Sequence, residues 1–208
     1  KVLFEYNGNG LLAKRHQQIN VASNDPDRIY ATTEYEYDNN SRLVKTKDAL
    51  GRIVERFYRA DGVISSVKYE DESSTSFIYD TTGRLESVTD PNNNLSSMEY
   101  DSRGNLVKQV DSLGKEVLLA YDENGNLTSK TDRLGRVTQY DYDNANRLVE
   151  ERWLTSGVVQ NTLAYSYDNT GKLLEASDIS GVLKYSYRER NMLDSVIAEY
   201  SGQQTFRM

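Results

Sequence analysis

The sequence predicts an all-β fold: a long antiparallel β-meander of two-strand, 21-residue repeats that curls into a spiral or a segment of a shell. Three observations predict it. Tyr returns at Tyr37, Tyr58, Tyr79, Tyr100, Tyr121 and Tyr142, in unbroken steps of 21 residues. An Asp with a Gly or Asn three residues behind it marks a reversal of the chain every ten or eleven residues. Between reversals, large apolar and polar residues alternate, the period of a strand with two unlike faces.

The repeat governs the organisation of the whole chain. After Tyr142 the series continues at Tyr167 and Tyr187, displaced first by a four-residue insertion around Ser156–Asn161 and then by a step of 20. Tyr6 is an outlying copy, 31 residues before Tyr37. The chain therefore divides into a divergent repeat with a long hairpin (1–34), the regular repeats (35–195) and a terminal repeat edge (196–208). Connections near Ser23–Arg28 and Leu154–Asn161 are expected to be loops or extended hairpins on the rim. Pro26 and Pro91 both fall in predicted turns.

The reversals follow a definite turn chemistry. Asp38, Asp80, Asp101, Asp122, Asp143 and Asp168 each follow a repeat tyrosine, and a second series stands ten residues on at Asp48, Asp90, Asp111, Asp132 and Asp178. Asp in the first position of a tight turn accepts a hydrogen bond from the backbone two residues on. The fourth position, where a type I turn joins a bulge, takes a positive φ that Gly adopts without steric penalty. Gly83, Gly104, Gly114, Gly125, Gly135 and Gly171 stand there, with Gly51 and Gly181 at the same offset. Asn93, Asn146 and Asn191 replace Gly in other copies, and Asn is the next residue to tolerate the left-handed region. Asp38 with Ser41 is the misfit.

Between turns, Tyr35/Tyr37, Phe77/Tyr79, Met98/Tyr100, Leu119/Tyr121, Tyr140/Tyr142 and Tyr165/Tyr167 are i, i+2 pairs on one face, while Glu36, Glu99, Asp141 and Ser166 face the other way. A Leu recurs after the turn, at Leu43, Leu85, Leu106, Leu127, Leu148 and Leu173. Antiparallel pairing sets these beside Tyr37, Tyr79, Tyr100, Tyr121, Tyr142 and Tyr167 as an aromatic ladder. No helix of any length fits the pattern. A flat sheet of about 20 strands would be about 90–100 Å wide, and sheets beyond about 10 strands curl as their twist accumulates.

Composition agrees with a thin structure. Hydrophobic residues are 37% of the chain, mean hydropathy is -0.73, and there are 16 Tyr against 4 Phe and 1 Trp. Tyr combines an apolar ring with a hydroxyl that stays wet, which suits half-exposed sheet faces. The net charge of -7 leaves no basic footprint for nucleic acid. No stretch reaches the 18 apolar residues of a membrane-spanning helix. The absence of Cys excludes disulfides, thiolate metal sites and thiol nucleophiles together. No charged-then-apolar leader opens the chain, so it reads as part of a longer protein that carries its targeting signal elsewhere.

No catalytic, cofactor or metal site is predicted. Acid–base chemistry needs two carboxylates in unlike environments, whereas these recur in equivalent ones. Each Asp-x-x-Gly turn offers one carboxylate where a calcium ion wants six to eight oxygens, so turn capping is the better role. His16, the single histidine, sits among polar residues and reads as solvated or in a loop; no Gly-x-Ser-x-Gly accompanies it. The glycines never open a helix, which disfavours a phosphate loop. Arg52, Arg84, Arg136, Lys115 and Lys172 are expected to flank the turn aspartates, and Trp153 to be a packing anchor. One binding role stays open: a tyrosine ladder could stack the apolar faces of sugar rings.

The string Tyr79-Asp80-Thr81-Thr82-Gly83-Arg84-Leu85 with Thr89-Asp90 resembles the RHS or YD repeat. Tyr121-Asp122-Glu123-Asn124-Gly125-Asn126-Leu127 and Tyr167-Asp168-Asn169-Thr170-Gly171-Lys172-Leu173 look like further copies, so the resemblance covers residues 35–195 well and 1–34 weakly. The family includes bacterial polymorphic toxins, cell-wall-associated relatives, the B and C components of insecticidal toxin complexes, and the teneurins. The resemblance implies a secreted or cell-surface protein and a hollow spiralling β-shell. It also implies partners: neighbouring repeats and a C-terminal toxin or other cargo domain, with a cell-surface glycan as the alternative. The family's shell-closing core and autoproteolytic site have no match here, so the expected part is shell wall, with no enzyme activity of its own.

Overall fold

A computed structural model describes residues 1–19, 30–189 and 192–200, together with the backbone of 206–207. The predicted connection at Ser23–Arg28, with Pro26, lies outside the described residues, as do Asn191 and residues 201–205 and 208 of the terminal repeat edge. The chain forms two compact units, Lys1–Ser97 and Met98–Met208.

The first unit holds β1 (Val2–Tyr6), β2 (Leu12–Gln18), β3 (Tyr30–Tyr37), β4 (Leu43–Lys47), β5 (Ile53–Tyr58), β6 (Ile64–Tyr69), β7 (Ser74–Tyr79) and β8 (Leu85–Thr89). β9 (Leu95–Tyr100) runs across the division. The second unit holds β10 (Leu106–Val110), β11 (Glu116–Tyr121), β12 (Leu127–Thr131), β13 (Val137–Tyr142), β14 (Leu148–Thr155), β15 (Val158–Tyr167), β16 (Leu173–Asp178), β17 (Gly181–Tyr187), β18 (Leu193–Tyr200) and β19 (Phe206–Arg207). Within each unit, strands consecutive in the chain are antiparallel neighbours in the sheet. The described residues contain no α-helix. The all-β antiparallel meander expected from the repeat is the fold.

Such a meander has two kinds of turn on opposite edges. Those after odd-numbered strands follow the repeat tyrosines; those after β4, β8, β10, β12 and β16 carry the second Asp series. Hairpins on the tyrosine edge shift register just before the tyrosine, between Glu36 and Tyr37, Phe57 and Tyr58, Ile78 and Tyr79, Ala120 and Tyr121, Asp141 and Tyr142. Such a bulge turns the tyrosine to oppose the Leu after the turn, as in Tyr37↔Leu43 and Tyr142↔Leu148. The β10–β11 and β12–β13 hairpins on the other edge run without a shift.

The four-residue insertion lengthens a hairpin. β14 and β15 meet through Ser156-Gly157, with φ of 51° and 77°, and their ladder continues to Thr155↔Val158. Two central residues with positive φ make the tight turn whose twist matches that of its strands.

Most described side chains are half-buried or exposed; only Ala198 and Ser195 of β18 are buried. The half-exposed faces expected from the tyrosine-rich composition are present. Trp153 is 45% exposed and its indole N–H donates to Glu151 Oε1 at 2.6 Å, so it is not the packing anchor expected of it. His16 lies on β2 rather than in a loop; its ring nitrogens meet Thr32 Oγ1 and Glu5 Oε1, each at 2.9 Å.

Candidate functional site

The candidate site is the repeated turn on the tyrosine edge, built from a Tyr, an Asp, the residue four positions after that Asp, and the next repeat's Tyr. In the β13–β14 turn, Asp143 N–H donates to Arg147 O and Asn146 N–H donates back to Asp143 O, both at 2.9 Å. The Asp143 side chain then fills the loop. Its Oδ1 accepts from Ala145 N at 2.8 Å and Arg147 N at 3.0 Å, and its Oδ2 accepts from Arg147 Nε at 2.7 Å. One short carboxylate therefore satisfies turn N–H groups that would otherwise face water.

The predicted turn residues repeat this pattern. Asp80 accepts from the N–H groups of Thr82 and Arg84, Asp101 from Arg103 and Asn105, Asp111 from Leu113 and Lys115. Asp122, Asp132 and Asp168 do the same with Asn124/Asn126, Leu134/Arg136 and Thr170/Lys172. Gly83, Gly104, Gly114, Gly125, Gly135 and Gly171 have φ between 72° and 94°. Ser41, the apparent misfit, takes the same conformation at 63°, and Asp38 binds Asn40 and Arg42 like its homologues. Gly181 is the exception. Asp178 and Gly181 are directly paired across a two-residue turn, and Gly181 has no positive φ. A Cβ there would lie 2.4 Å from Glu199 O, so the close passage of β18 is what demands glycine.

These aspartates are acidified. Asp38 lies below the usual carboxylate range because the Arg42 backbone N–H and then its side chain donate to the charged form, outweighing desolvation. At Asp101 and Asp122 the donors are the Asn105 and Asn126 side-chain amides first and backbone N–H groups after. Hydrogen bonds to the ionised form lower a carboxyl pKa.

The tyrosine hydroxyls make the second half of the site. Between β12 and β13 the ladder stops at Ser129↔Gln139, short of Leu127, whose carbonyl accepts from Tyr142 Oη at 3.0 Å. The same bond recurs from Tyr37 to Leu12 O, Tyr58 to Leu43 O, Tyr79 to Ile64 O, Tyr167 to Leu148 O and Tyr187 to Leu173 O, at 2.7–3.0 Å. Tyr100 and Tyr121 end β9 and β11 at the same place in the repeat.

Cations cover several of these rings. The Arg42 guanidinium lies 4.7 Å from the Tyr58 centroid, Arg59 5.4 Å from Tyr79, Arg147 4.8 Å from Tyr167, and Lys172 Nζ 5.3 Å from Tyr187. The flanking partners expected of the turn aspartates are thus also links to the following repeat. Arg147 Nη1 adds a bond to Asp168 O at 2.9 Å. Sequence reasoning missed this role, although Arg42-Leu43, Arg84-Leu85, Arg147-Leu148 and Lys172-Leu173 recur in register. It also missed turns opened by other residues: Asn7 closes on Gly10, Arg59 on Gly62 and Tyr69 on Glu72 by the same backbone bond.

The arrangement offers mechanical closure more than chemistry. Among the described residues no group of three or more His, Asp or Glu side chains is placed to hold a metal. A groove of about 730 Å³ in the first unit is lined by Thr46, Asp48, Val54, Tyr69, Asp71 and Pro91. Its polar groups are engaged locally: Asp48 with Arg52, Asp71 with Ser73, and Tyr69 with Thr75. Cations lie over one face of the rings of Tyr58, Tyr79, Tyr167 and Tyr187.

The RHS Repeat family model matches residues 79–116, 100–129 and 121–152. No curated protein matches the sequence. Among solved structures, the crystal structure of TcdB2-TccC3-TEV is similar with a TM-score of 0.78 at 15% identity, covering 98% of this chain and 12% of that one. TcdB2-TccC3 gives a TM-score of 0.73 at 16% identity, covering 95% of this chain and 12% of that one. The Tc holotoxin pore of Photorhabdus luminescens gives 0.57 at 14% identity, covering 95% and 16%. This chain spans about an eighth of the length of the first two, and at such identities the likeness speaks for the fold. The family model thus identifies RHS repeats over residues 79–152, and the same turn-and-tyrosine geometry recurs on either side of them.

Proposed function

We propose that this chain is wall: a stretch of β-shell that encloses a toxin or other cargo belonging to the same secreted polypeptide, with no catalysis of its own. The observation that carries this reading is the recurring Tyr hydroxyl on a backbone carbonyl where a ladder opens, as in Tyr142 on Leu127 and Tyr79 on Ile64. It fastens strands together beyond the reach of backbone pairing, which is what a barrier one sheet thick needs. The carboxylates support the absence of catalysis, since they recur in equivalent turns and each is already engaged by N–H donors. No described helix is long and apolar enough to cross a membrane.

The test uses the intact polypeptide containing this chain. With no native Cys in these residues, single Cys probes are placed on the two faces, Thr138→Cys on the tyrosine face and Ser166→Cys on the other. A shell predicts that a bulky polymer-linked maleimide labels one face and spares the other, while a small maleimide labels both. Equal labelling of both faces by the bulky reagent would sink the enclosure reading.

A further inference from the structure

Four glycines follow an Asn or an Asp: Asn7-Gly8, Asn9-Gly10, Asp61-Gly62 and Asn124-Gly125. In such a pair the glycine nitrogen can attack the side-chain carbonyl carbon before it, since no Cβ on the glycine blocks the approach. The fold treats the four differently. Gly10 N–H donates to Asn7 O at 2.9 Å, Gly62 N–H to Arg59 O at 3.0 Å and Gly125 N–H to Asp122 O at 3.2 Å. Each of these amides is held in place with its proton committed to a turn carbonyl. Among the described residues the Gly8 N–H has no such acceptor, and the space beside its Cα is open.

The electrophile is prepared at the same place. Asn7 opens the β1–β2 turn in the position that Asp holds elsewhere, with its N–H on Leu11 O at 2.8 Å. Its Oδ1 accepts from the N–H groups of Asn9 and Leu11, both at 3.0 Å. Asp143 Oδ1 takes the same two bonds from Ala145 and Arg147. The ring closed by the Asn7–Asn9 bond contains the Gly8 nitrogen, so the side-chain carbonyl is folded back toward the amide that attacks it. Attack makes Oδ1 an oxyanion, and two backbone N–H groups already point at it. The Asp turns share the geometry without the reaction, because an ionised carboxylate repels a nucleophile and has no ammonia to lose. Asn9 and Asn124 have the amide, but among the described residues their side-chain oxygens accept no backbone N–H.

We propose that Asn7 is a site of spontaneous deamidation, built by its own turn. Gly8 N bonds to Asn7 Cγ, the Cγ–Nδ2 bond breaks, and the departing amide takes the Gly8 proton and leaves as ammonia. The product is a five-membered succinimide, which water opens at either carbonyl. Breaking the new N–Cγ bond leaves Asp, the residue that opens most of the other turns. Breaking the original peptide bond leaves isoaspartate, one carbon longer in its backbone, and displaces the carbonyl that Gly10 N–H binds. Either product adds one negative charge.

The experiment incubates the intact polypeptide containing this chain at neutral pH, native and in urea, and follows each Asn by peptide mapping with mass spectrometry. In the native protein Asn7 should deamidate about tenfold or more faster than Asn9 and Asn124. In urea, where the turn is gone, the three should approach one rate. The Asp122→Asn/Glu123→Gly double variant places the same pair in an equivalent turn and should gain a second fast site at position 122. Native rates at Asn9 or Asn124 equal to that at Asn7 overturn the proposal, as does a native Asn7 that does not react. So does a preference for Asn7 that survives urea, which would make it a property of local sequence, or a double variant without the second fast site.

Discussion

The hydroxyl of Tyr142 donates to the carbonyl of Leu127, 3.0 Å away and fifteen residues earlier, at the point where β12 and β13 have stopped pairing. Their backbones diverge there because the β13–β14 bulge draws Tyr142 toward Leu148 on its other side. A carbonyl left over by one hairpin is satisfied by the tyrosine that begins the next. Removing the hydroxyl should leave that part-buried carbonyl without its partner. Tyr142→Phe is expected to lower stability by about 1 kcal/mol in urea unfolding. Tyr69→Phe, whose hydroxyl makes an exposed 3.3 Å contact with Thr75 Oγ1, should change it less. Equal losses would mean that ring burial, rather than the latch, carries the effect.

Arg147 binds Asp143, stacks on Tyr167 and donates to Asp168 O, whereas Arg136 on the opposite edge has Asp132 as its ion-pair partner and is 61% exposed. Arg147→Ala should therefore destabilise more than Arg136→Ala. A double-mutant cycle of Arg147→Ala with Tyr167→Leu should return a coupling of about 0.5–1 kcal/mol. A coupling near zero would show that the guanidinium over the ring contributes nothing.

Two glycines should fail for different reasons. Gly104 has a φ of 94°, so Gly104→Val should cost about 1–2 kcal/mol more than Ser102→Val beside it. Gly181→Ala forces a Cβ against Glu199 O and should loosen the β17–β18 pairing, by about 1–3 kcal/mol. Gly8→Ala meets nothing within 4 Å and should be close to neutral.

Acid is the remaining probe. Asp38, Asp101, Asp122 and Asp143 all have folded-state pKa values lowered by their hydrogen bonds. A depressed folded pKa means the unfolded chain takes up protons first, so these groups stabilise the fold above the ordinary Asp value of about 3.9. The melting temperature should be flat from neutral pH down to about pH 5 and fall below about pH 4 as the pH drops through the folded values. Asp122→Asn should flatten that acid limb slightly. A melting temperature that stays level below about pH 4 would show that these hydrogen bonds add nothing to the fold.

The sheet was legible in the sequence because each reversal writes the same backbone requirement into the same place. Asp at the start and a residue with positive φ at the fourth position can be read one turn at a time. Ser41 and Glu72 show where that reading thins: both sit at positive φ with no local letter announcing it, held there by the hairpin on either side. Arg59 and Tyr69 open turns without an Asp for the same reason. The arginine-on-tyrosine contacts were not legible because they join residues that are close only once adjacent hairpins are stacked. Gly181 stood at the expected offset for an unexpected cause, since sequence spacing cannot distinguish a turn that needs glycine from a neighbouring strand that does.

The partners of every described strand within a unit are the strands just before and after it in the chain, and each latch reaches back to a carbonyl made shortly before. Nothing in such a sheet has to wait for a distant segment. As synthesis delivers the chain from its N-terminal end, each hairpin can dock on the one already formed and be locked by the tyrosine that emerges next. Assembly then resembles knitting, in which finished rows hold while the next is added, so residues translated late would meet a wall already standing.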